Sequence, residues 1–465
     1  MSKLLPERPS LEHLKNEAKA LKKAQSLPKL ADAQLALARD YGFPSWAKLK
    51  RHVEGYDSIR DAFFDAIQAG DRQRVKQALE EAPGLARAHN PHNFGATPVT
   101  VAAGREDIPM IDLLIKAGAD ADARSDWWAG SFGPLDYCEE KTAEHLLKKG
   151  ATLTPHAAAR LGRVKELKAM LAKNPERVHE RGGDGQFPLH FAKTAEIVDI
   201  LVDAGADVDA RDIDHEATAA QWRIKNFEVL KRLVERGAST EIFIAVALDD
   251  PDLIQKHLDQ DPKSLTRKAN EPGNPMIHDR APGAPIYIYD IGYVTPLQLA
   301  ANLGRERAFD CLFEKSPPGA QLVAAAWKGD RDLAVKLKGH VKSLSKEEAS
   351  QVADAERYRQ HDKLALMLEL GFDVNAQDHE GMGPVHWAGF HGDLDALKII
   401  LPYGPNLELK NGYGGTALST TCYGSLHGWY TKTGDYAECV QMLIEAGSVV
   451  TESMSGSEAV NSVLG

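Results

Sequence analysis

Hydrophobic and polar positions recur in a block that is clearest at 378–416, DHEGMGPVHWAGFHGDLDALKIILPYGPNLELKNGYGGT. A polar, Gly-rich tip, Asp378 to Gly383, gives way to Pro384. Proline suits the first turn of a helix, where its missing N–H costs nothing. A short apolar helix, Val385 to Phe390, is expected to break at His391-Gly392-Asp393. A second helix then places Leu394, Leu397, Ile400 and Leu401 on one buried face. Pro402 and Gly404 close the block, and Leu407-Glu408-Leu409 leads to the next tip, where Gly381 maps to Gly414 and Gly383 to Thr416. One such block cannot bury its own apolar face, so stacked copies must share a core.

The block resembles the ankyrin repeat, whose signature reads T-P-L-H-x-A; here Gly-Pro-Val-His-Trp-Ala stands at 383–388. Weaker copies open at Thr97-Pro98, Gly133-Pro134-Leu135-Asp136, Thr154-Pro155-His156, Phe187-Pro188-Leu189-His190, Thr218-Ala219, Thr295-Pro296-Leu297-Gln298 and Thr416. Helix pairs at 61–88, 241–258, 319–338 and 349–370 have lost the signature. The resemblance implies an all-α ankyrin-repeat solenoid of about a dozen helix pairs over 57–450, with insertions at about 262–294 and 423–436. The first insertion reads as a long Pro/Gly loop with one short strand, Pro285 to Tyr289. The tail 451–465 is small and polar and is expected to fray. Residues 1–56 read as a helical leader: one helix begins after Ser10, Ala31 to Arg39 forms another, and Ser45 caps a third. Its wording, LPERPSLEHLKNEAKALKKA, resembles a leader that precedes ankyrin arrays in many bacterial proteins. That likeness implies a bacterial source and a helical cap for the array, and no activity.

Composition narrows the partners. The net charge is −11, yet residues 1–51 carry 11 Lys/Arg against 5 Asp/Glu, so the remainder carries −17. An acidic body argues against nucleic acid, whose affinity rests on phosphate neutralisation. No run approaches the roughly 20 apolar residues of a membrane span. The four cysteines show no CxxC spacing and read as reduced thiols, which makes the cytoplasm the expected location.

Candidate chemistry sits at the tips and insertions, because ankyrin ligands bind the tips and first helices on the concave side. The tips offer Trp127, Trp128, Asp184, Asp214, His215, Glu216, Asp378, His379 and Glu380; the insertions add Tyr287, Tyr289, Asp290, His427, Trp429 and Asp435. Trp222 and Trp387 follow the signature's histidine-type position. Asp184 and Asp378 also fit plain turn residues, and His190 and His386 fit bonds to neighbouring backbone. Adjacent Trp127 and Trp128 cannot both turn inward, so one is expected to meet a ligand or partner. HExxH, P-loop, GxGxxG and GxSxG patterns are all missing, which leaves no expected metal, cofactor or nucleophile. Trp222 and Trp387 also fit packing between repeats, and the first reading, a binding module for a protein or peptide partner, is what the resemblance implies and rests on no single residue. The other is an enzyme or small-molecule site, with an oligosaccharide as ligand. In it Asp214 and Glu216 serve as acid and base and His427 as a further proton carrier.

Overall fold

The computed structural model describes residues 11–25, 27–41, 43, 45–271 and 286–465. Among them every regular element is helical, and β pairing is confined to the isolated bridges Asn90–Ala96 and Arg211–Thr218. The chain is an all-α array of helix pairs, as the repeat resemblance implies. It divides into two compact units, residues 1–240 with 275–290, and residues 241–274 with 291–465.

The first unit begins with the leader helices Leu11–Ala24, Leu30–Asp40 and Trp46–Glu54. Leu14, Ala18, Leu37, Tyr41 and Leu49 give them a small core of their own, and Trp46–Glu54 also lies against Tyr56–Ala69. Ser10 and Gly42 lie outside the described residues. Helix pairs follow, from Tyr56–Ala69 with Arg72–Glu81 to Ala219–Trp222 with Phe227–Glu235. In two of them the first member shrinks to a 3-10 turn, Pro134–Asp136 and Pro188–Phe191. The second unit runs from Ile242–Ala247 with Pro251–Gln260 to Ala417–His427 with Tyr436–Glu445.

Local chemistry sets where these helices start. The hydroxyls of Thr97, Thr154, Thr218 and Thr295 accept from the backbone N–H three residues on, at 3.1–3.4 Å, in the usual manner of an N-cap.

Three expectations change. The residues of the expected strand at 285–289 that are described form a single helical turn, Tyr287–Asp290; Pro285 lies outside the described residues. A lone strand would leave its backbone polar groups unpaired, whereas here the Tyr289 N–H bonds the Ile286 carbonyl at 3.1 Å. The insertion at 423–436 begins as a continuation of the helix Ala417–His427, and 428–435 form its loop. The tail does not fray: Ser457 caps the helix Glu458–Leu464, and Val460 is fully buried against Tyr436–Glu445.

Between the helices of a pair the chain turns through a left-handed residue. Gly70, Gly162, Gly304, Gly329 and Gly392 fill this place with φ between 61° and 83°. Glu106, Asp249 and Arg359 fill it elsewhere, with φ of 56°, 55° and 53°. A side chain there costs about 1 kcal/mol of backbone strain. Each offsets that cost by clamping the next repeat. Glu106 accepts from the Glu139 N–H at 2.6 Å and from the Thr142 hydroxyl at 2.5 Å. Asp249 accepts from the Ala308 N–H at 2.7 Å, and Arg359 donates to Asp393 at 2.6 Å. Glu106→Ala keeps the strain and loses the clamp, so it should lower unfolding stability by about 1–2 kcal/mol. Glu106→Gly removes both and should lose less. Urea unfolding of the two variants checks the order, and an alanine variant as stable as the glycine one would refute the clamp.

Candidate functional site

In the first unit the tips bring Trp127, Asp184, Asp214 and His215 together. Asp184 holds a left-handed conformation, φ 54°, and its carbonyl accepts from the Ile213 and Asp214 N–H groups at 2.9 and 3.1 Å. The backbone is thus tied to the neighbouring tip, while the buried Oδ1 of Asp184 has no hydrogen-bond partner. Ligand atoms of Asp184, Asp214 and His215 all lie within 4.8 Å of one another, and His215 Nε2 is 3.8 Å from Asp214. Asp212 braces this corner. It accepts from the His215 N–H at 2.6 Å, the Ala217 N–H at 3.1 Å and the Trp222 indole at 2.8 Å.

Rings wall the cluster. His215 meets Trp222 at 5.4 Å and Tyr289 at 5.6 Å, both edge-on. Trp127 packs edge-on against Phe94 at 4.9 Å; its indole N–H faces the two carboxylates without a well-formed bond. Trp128 turns outward and is 57% exposed, so the pair splits as its adjacency demands. Burial pushes Asp184 up to about 6; His215 opposes the shift, and the charges of Asp214 and Asp212 add to it. Burial also raises Asp214, and raises Asp290 against the pull of Lys225 and Arg223.

Other candidates have plainer places. Tyr287 is fully buried and packs the interior, whereas Tyr289 is largely exposed. Glu216 shapes its turn, with φ 47° and a carbonyl that accepts from Arg211. The carboxylate brought beside Asp214 is Asp184.

The second unit holds a different arrangement. Asp378 accepts from the Glu380 N–H, the Met382 N–H and the Trp387 indole, each at 2.9 Å, so its carboxylate is spent on its own repeat. Trp387 is 3% exposed, with the Arg357 guanidinium 4.8 Å from its ring centre and Trp429 at 5.7 Å. Glu380 pairs with Arg357 at 2.8 Å and accepts from the Tyr413 hydroxyl at 3.1 Å. His379 lies against Tyr293 at 5.0 Å. These groups border a hollow of about 560 Å³ lined by Met382, Trp387, Phe390, Tyr413, Tyr423 and Trp429 among others. His427 is exposed and lies tilted against Tyr423 at 4.7 Å, while Asp435 is exposed with its N–H pinned to the Gly392 carbonyl at 2.8 Å.

The signature histidines are structural. His386 accepts from the Gly383 N–H at 3.1 Å and donates to the Leu409 carbonyl at 2.9 Å; His190 does the same between Phe187 and Ala217. Behind Trp387 lies a polar group that the sequence reading missed: Glu356, His361, His391 and Asp393. Its signal was a glutamate closing the small apolar run Val352-Ala353-Asp354-Ala355-Glu356, where a stacked helix needs small apolar residues. Burial drives the Glu356 carboxyl up to about 9, with the Asp393 charge adding and Arg359 opposing. Burial, then Arg359, drives His391 down to about 4.

Comparison with known proteins agrees with the repeat pattern. A family model described as ankyrin repeats (many copies) matches 353–401, and one for the single ankyrin repeat matches 184–213. The chain is an ankyrin-repeat protein. It is 28% identical over 106 residues to YahD of Escherichia coli (strain K12), described as an ankyrin repeat protein, covering 22% of this chain and 53% of that one. It is 25% identical over 171 residues to the ANK repeat-containing protein nipk-1 of Caenorhabditis elegans, covering 32% of this chain and 24% of that one. The match thus spans about half the length of the first relative and a quarter of the second. Among solved structures, one match is to a complex of a predatory endopeptidase from Bdellovibrio bacteriovorus with an immunity protein. It is 21% identical and covers 37% of this chain and 97% of that one. Its TM-score of 0.26 is too low to carry any argument. Ankyrin repeats are protein-interaction modules, and no described helix is long and apolar enough to cross a membrane.

The raised Asp184 pKa makes a pH prediction. Its folded value lies above the unfolded one, so the neutral carboxyl stabilises the fold below about pH 4, and that contribution is lost as pH rises through about 6. A shift of this size is worth about 3 kcal/mol at most, cut to about 1–2 by partial solvation. Asparagine tolerates the left-handed backbone. Asp184→Asn should therefore melt higher than the wild type near pH 7.5 and level with it near pH 4. Equal melting at both pH values would contradict the buried, ionisable assignment.

Proposed function

We propose that the chain is a cytoplasmic binding module that takes a peptide segment of a protein partner on its concave face, in the aromatic hollow of the second unit. One observation carries this reading. Around the hollow, Tyr413, Tyr423 and Trp429 are 79%, 59% and 60% exposed, although large rings are costly to leave in water. Tyrosine and tryptophan dominate the energetics of protein interfaces, because they bury much area at little entropy cost. Glu380, on the rim, supplies a carboxylate that would orient a bound backbone. The four cysteines, Cys138, Cys311, Cys422 and Cys439, are all unpaired, which supports a reducing compartment.

A second reading rests on the first unit. Asp184, pushed up to about 6, stands beside Asp214 among Trp127, Trp222 and Tyr289, an arrangement suited to acid–base work on an oligosaccharide. Turnover of any sugar in a broad oligosaccharide panel, lost in Asp214→Asn at unchanged melting temperature, would support it. No turnover by the unaltered chain removes it.

Selection of a random displayed-peptide library on the intact chain tests the first reading. It should enrich segments that share one large apolar or aromatic side chain. Trp429→Ala should weaken those peptides by at least about tenfold, since truncating an anchor residue typically costs about 2 kcal/mol. No enrichment, or peptides that bind Trp429→Ala equally well, would sink the proposal.

A further inference from the structure

We infer that Glu356, His361 and Asp393, with His391 beside Glu356, form a binding site for one divalent transition-metal ion, of which zinc is the type. The four residues come from consecutive repeats. Glu356 lies in the helix Gln351–Arg357 and His361 opens His361–Leu370; His391 ends Pro384–His391, and Asp393 caps Leu394–Ile400.

The first support is a set of buried groups with nothing to bond. Glu356 is fully buried, and neither of its carboxylate oxygens has a hydrogen-bond partner. His391 is 1% exposed, and neither ring nitrogen has one. Buried polar side chains are almost always satisfied, and a buried carboxylate is costly when it is not. His386, five residues earlier on the same helix, uses both of its nitrogens. The shortfall at His391 is therefore local to this cluster and not a habit of the repeat.

Geometry is the second support. His391 Nδ1 lies 3.6 Å from Glu356 Oε1, and His361 Nε2 lies 3.8 Å from Glu356 Oε2 and 3.0 Å from Asp393 Oδ2. Ligand atoms of Glu356, His361 and Asp393 all fall within 4.8 Å of one another. Two of these separations are too long for hydrogen bonds. They suit ligands around a shared ion, since donors about 2.1 Å from a tetrahedral metal stand about 3.4 Å apart. The His361 imidazole with two carboxylates, and the His391 ring beside Glu356, favour zinc and its neighbours over calcium or magnesium, which prefer all-oxygen shells.

Arg359 is the group that a cation would meet with repulsion. It donates to Asp393 at 2.6 Å from a strained, left-handed backbone. Glu356 and Asp393 together outweigh its single charge once both are ionised. In metal sites the ligating carboxylates are commonly held by just such an outer hydrogen bond. The Ala396 N–H holds the other Asp393 oxygen at 3.0 Å. Trp387, Trp429 and Tyr430 surround the His391 ring at 5.3–5.5 Å, which keeps water from that side. The His361 side chain, 30% exposed, is the open edge by which an ion enters.

The test uses the full chain stripped of metal by chelator and then titrated with zinc chloride, followed by calorimetry, and with cobalt(II), followed by its visible absorption. One equivalent should bind. Glu356→Gln and His361→Ala should each weaken binding at least about tenfold, and Arg359→Gln, an outer-shell change, by about tenfold. His361 is partly exposed, so its variant should keep the parent's circular dichroism. Failure of the folded wild type to take up one equivalent would overturn the site. So would uptake that survives Glu356→Gln and His361→Ala, or uptake lost in Asp214→Asn alone, which would place the ion in the first unit.

Discussion

Repeat after repeat in this chain carries polar groups that its own atoms do not satisfy and that the next repeat does. The Asp122 carboxylate accepts from the Thr152 N–H at 2.9 Å, Asp209 from Ser239 at 2.8 Å, and the Asn375 side-chain oxygen from Asn406 at 2.7 Å. Gln377 donates to the Lys410 carbonyl at 2.9 Å, and the signature histidines reach one tip onward. A repeat cut from its neighbour would leave these groups exposed along with its apolar face, so neither can be stable alone. Glu106, Asp249 and Arg359 extend the same rule, accepting strain where glycine would do because the side chain reaches across.

Against that background, the places where the exchange stays incomplete stand out. Asp378 and Asp212 are each spent on their own turn and on a tryptophan indole, which gives them a structural task. Asp184 keeps one buried oxygen without a partner, and Glu356 and His391 keep four atoms between them. Uncompensated burial of this kind lowers stability, and proteins tolerate it chiefly where a ligand completes the set. The aromatic hollow follows the same logic in apolar form. Its exposed rings are surface that a partner would cover.

Much of the fold could be read from the chain because the signals are local. A Thr-Pro pair caps and starts a helix whatever surrounds it, and Gly392 or Gly162 ends one by its own φ. The misreadings were non-local. At Pro285 to Tyr289 the β-branched and aromatic residues read as strand, but among the described residues no strand pairs with them and Tyr287–Asp290 is a helical turn. The tail read as frayed because its one anchor, Val460, gains meaning only from the face of Tyr436–Glu445. Adjacency alone forces one of the Trp127–Trp128 pair out, and which one, Trp128, is decided by the packing of Trp127 on Phe94. Asp184 and Asp214, placed on different tips, met only in three dimensions. Glu356 and His391 were missed altogether, being single residues on two helices that register alone brings together.

Buried histidines whose ring nitrogens are bonded are scaffold, whereas His391, whose nitrogens are not, stands at the proposed ion site. Selective nitrogen labelling of histidine, with long-range proton–nitrogen spectra at neutral pH, tests it directly. His190 and His386 should appear as neutral rings protonated on Nε2, unchanged when zinc is added, since their carbonyl acceptors fix that form and burial holds their pKa values down. The nitrogens of His361 and His391 should shift together on the same addition. Zinc that moves His190 and His386 as much as His391, or that moves none of the four, would contradict the account.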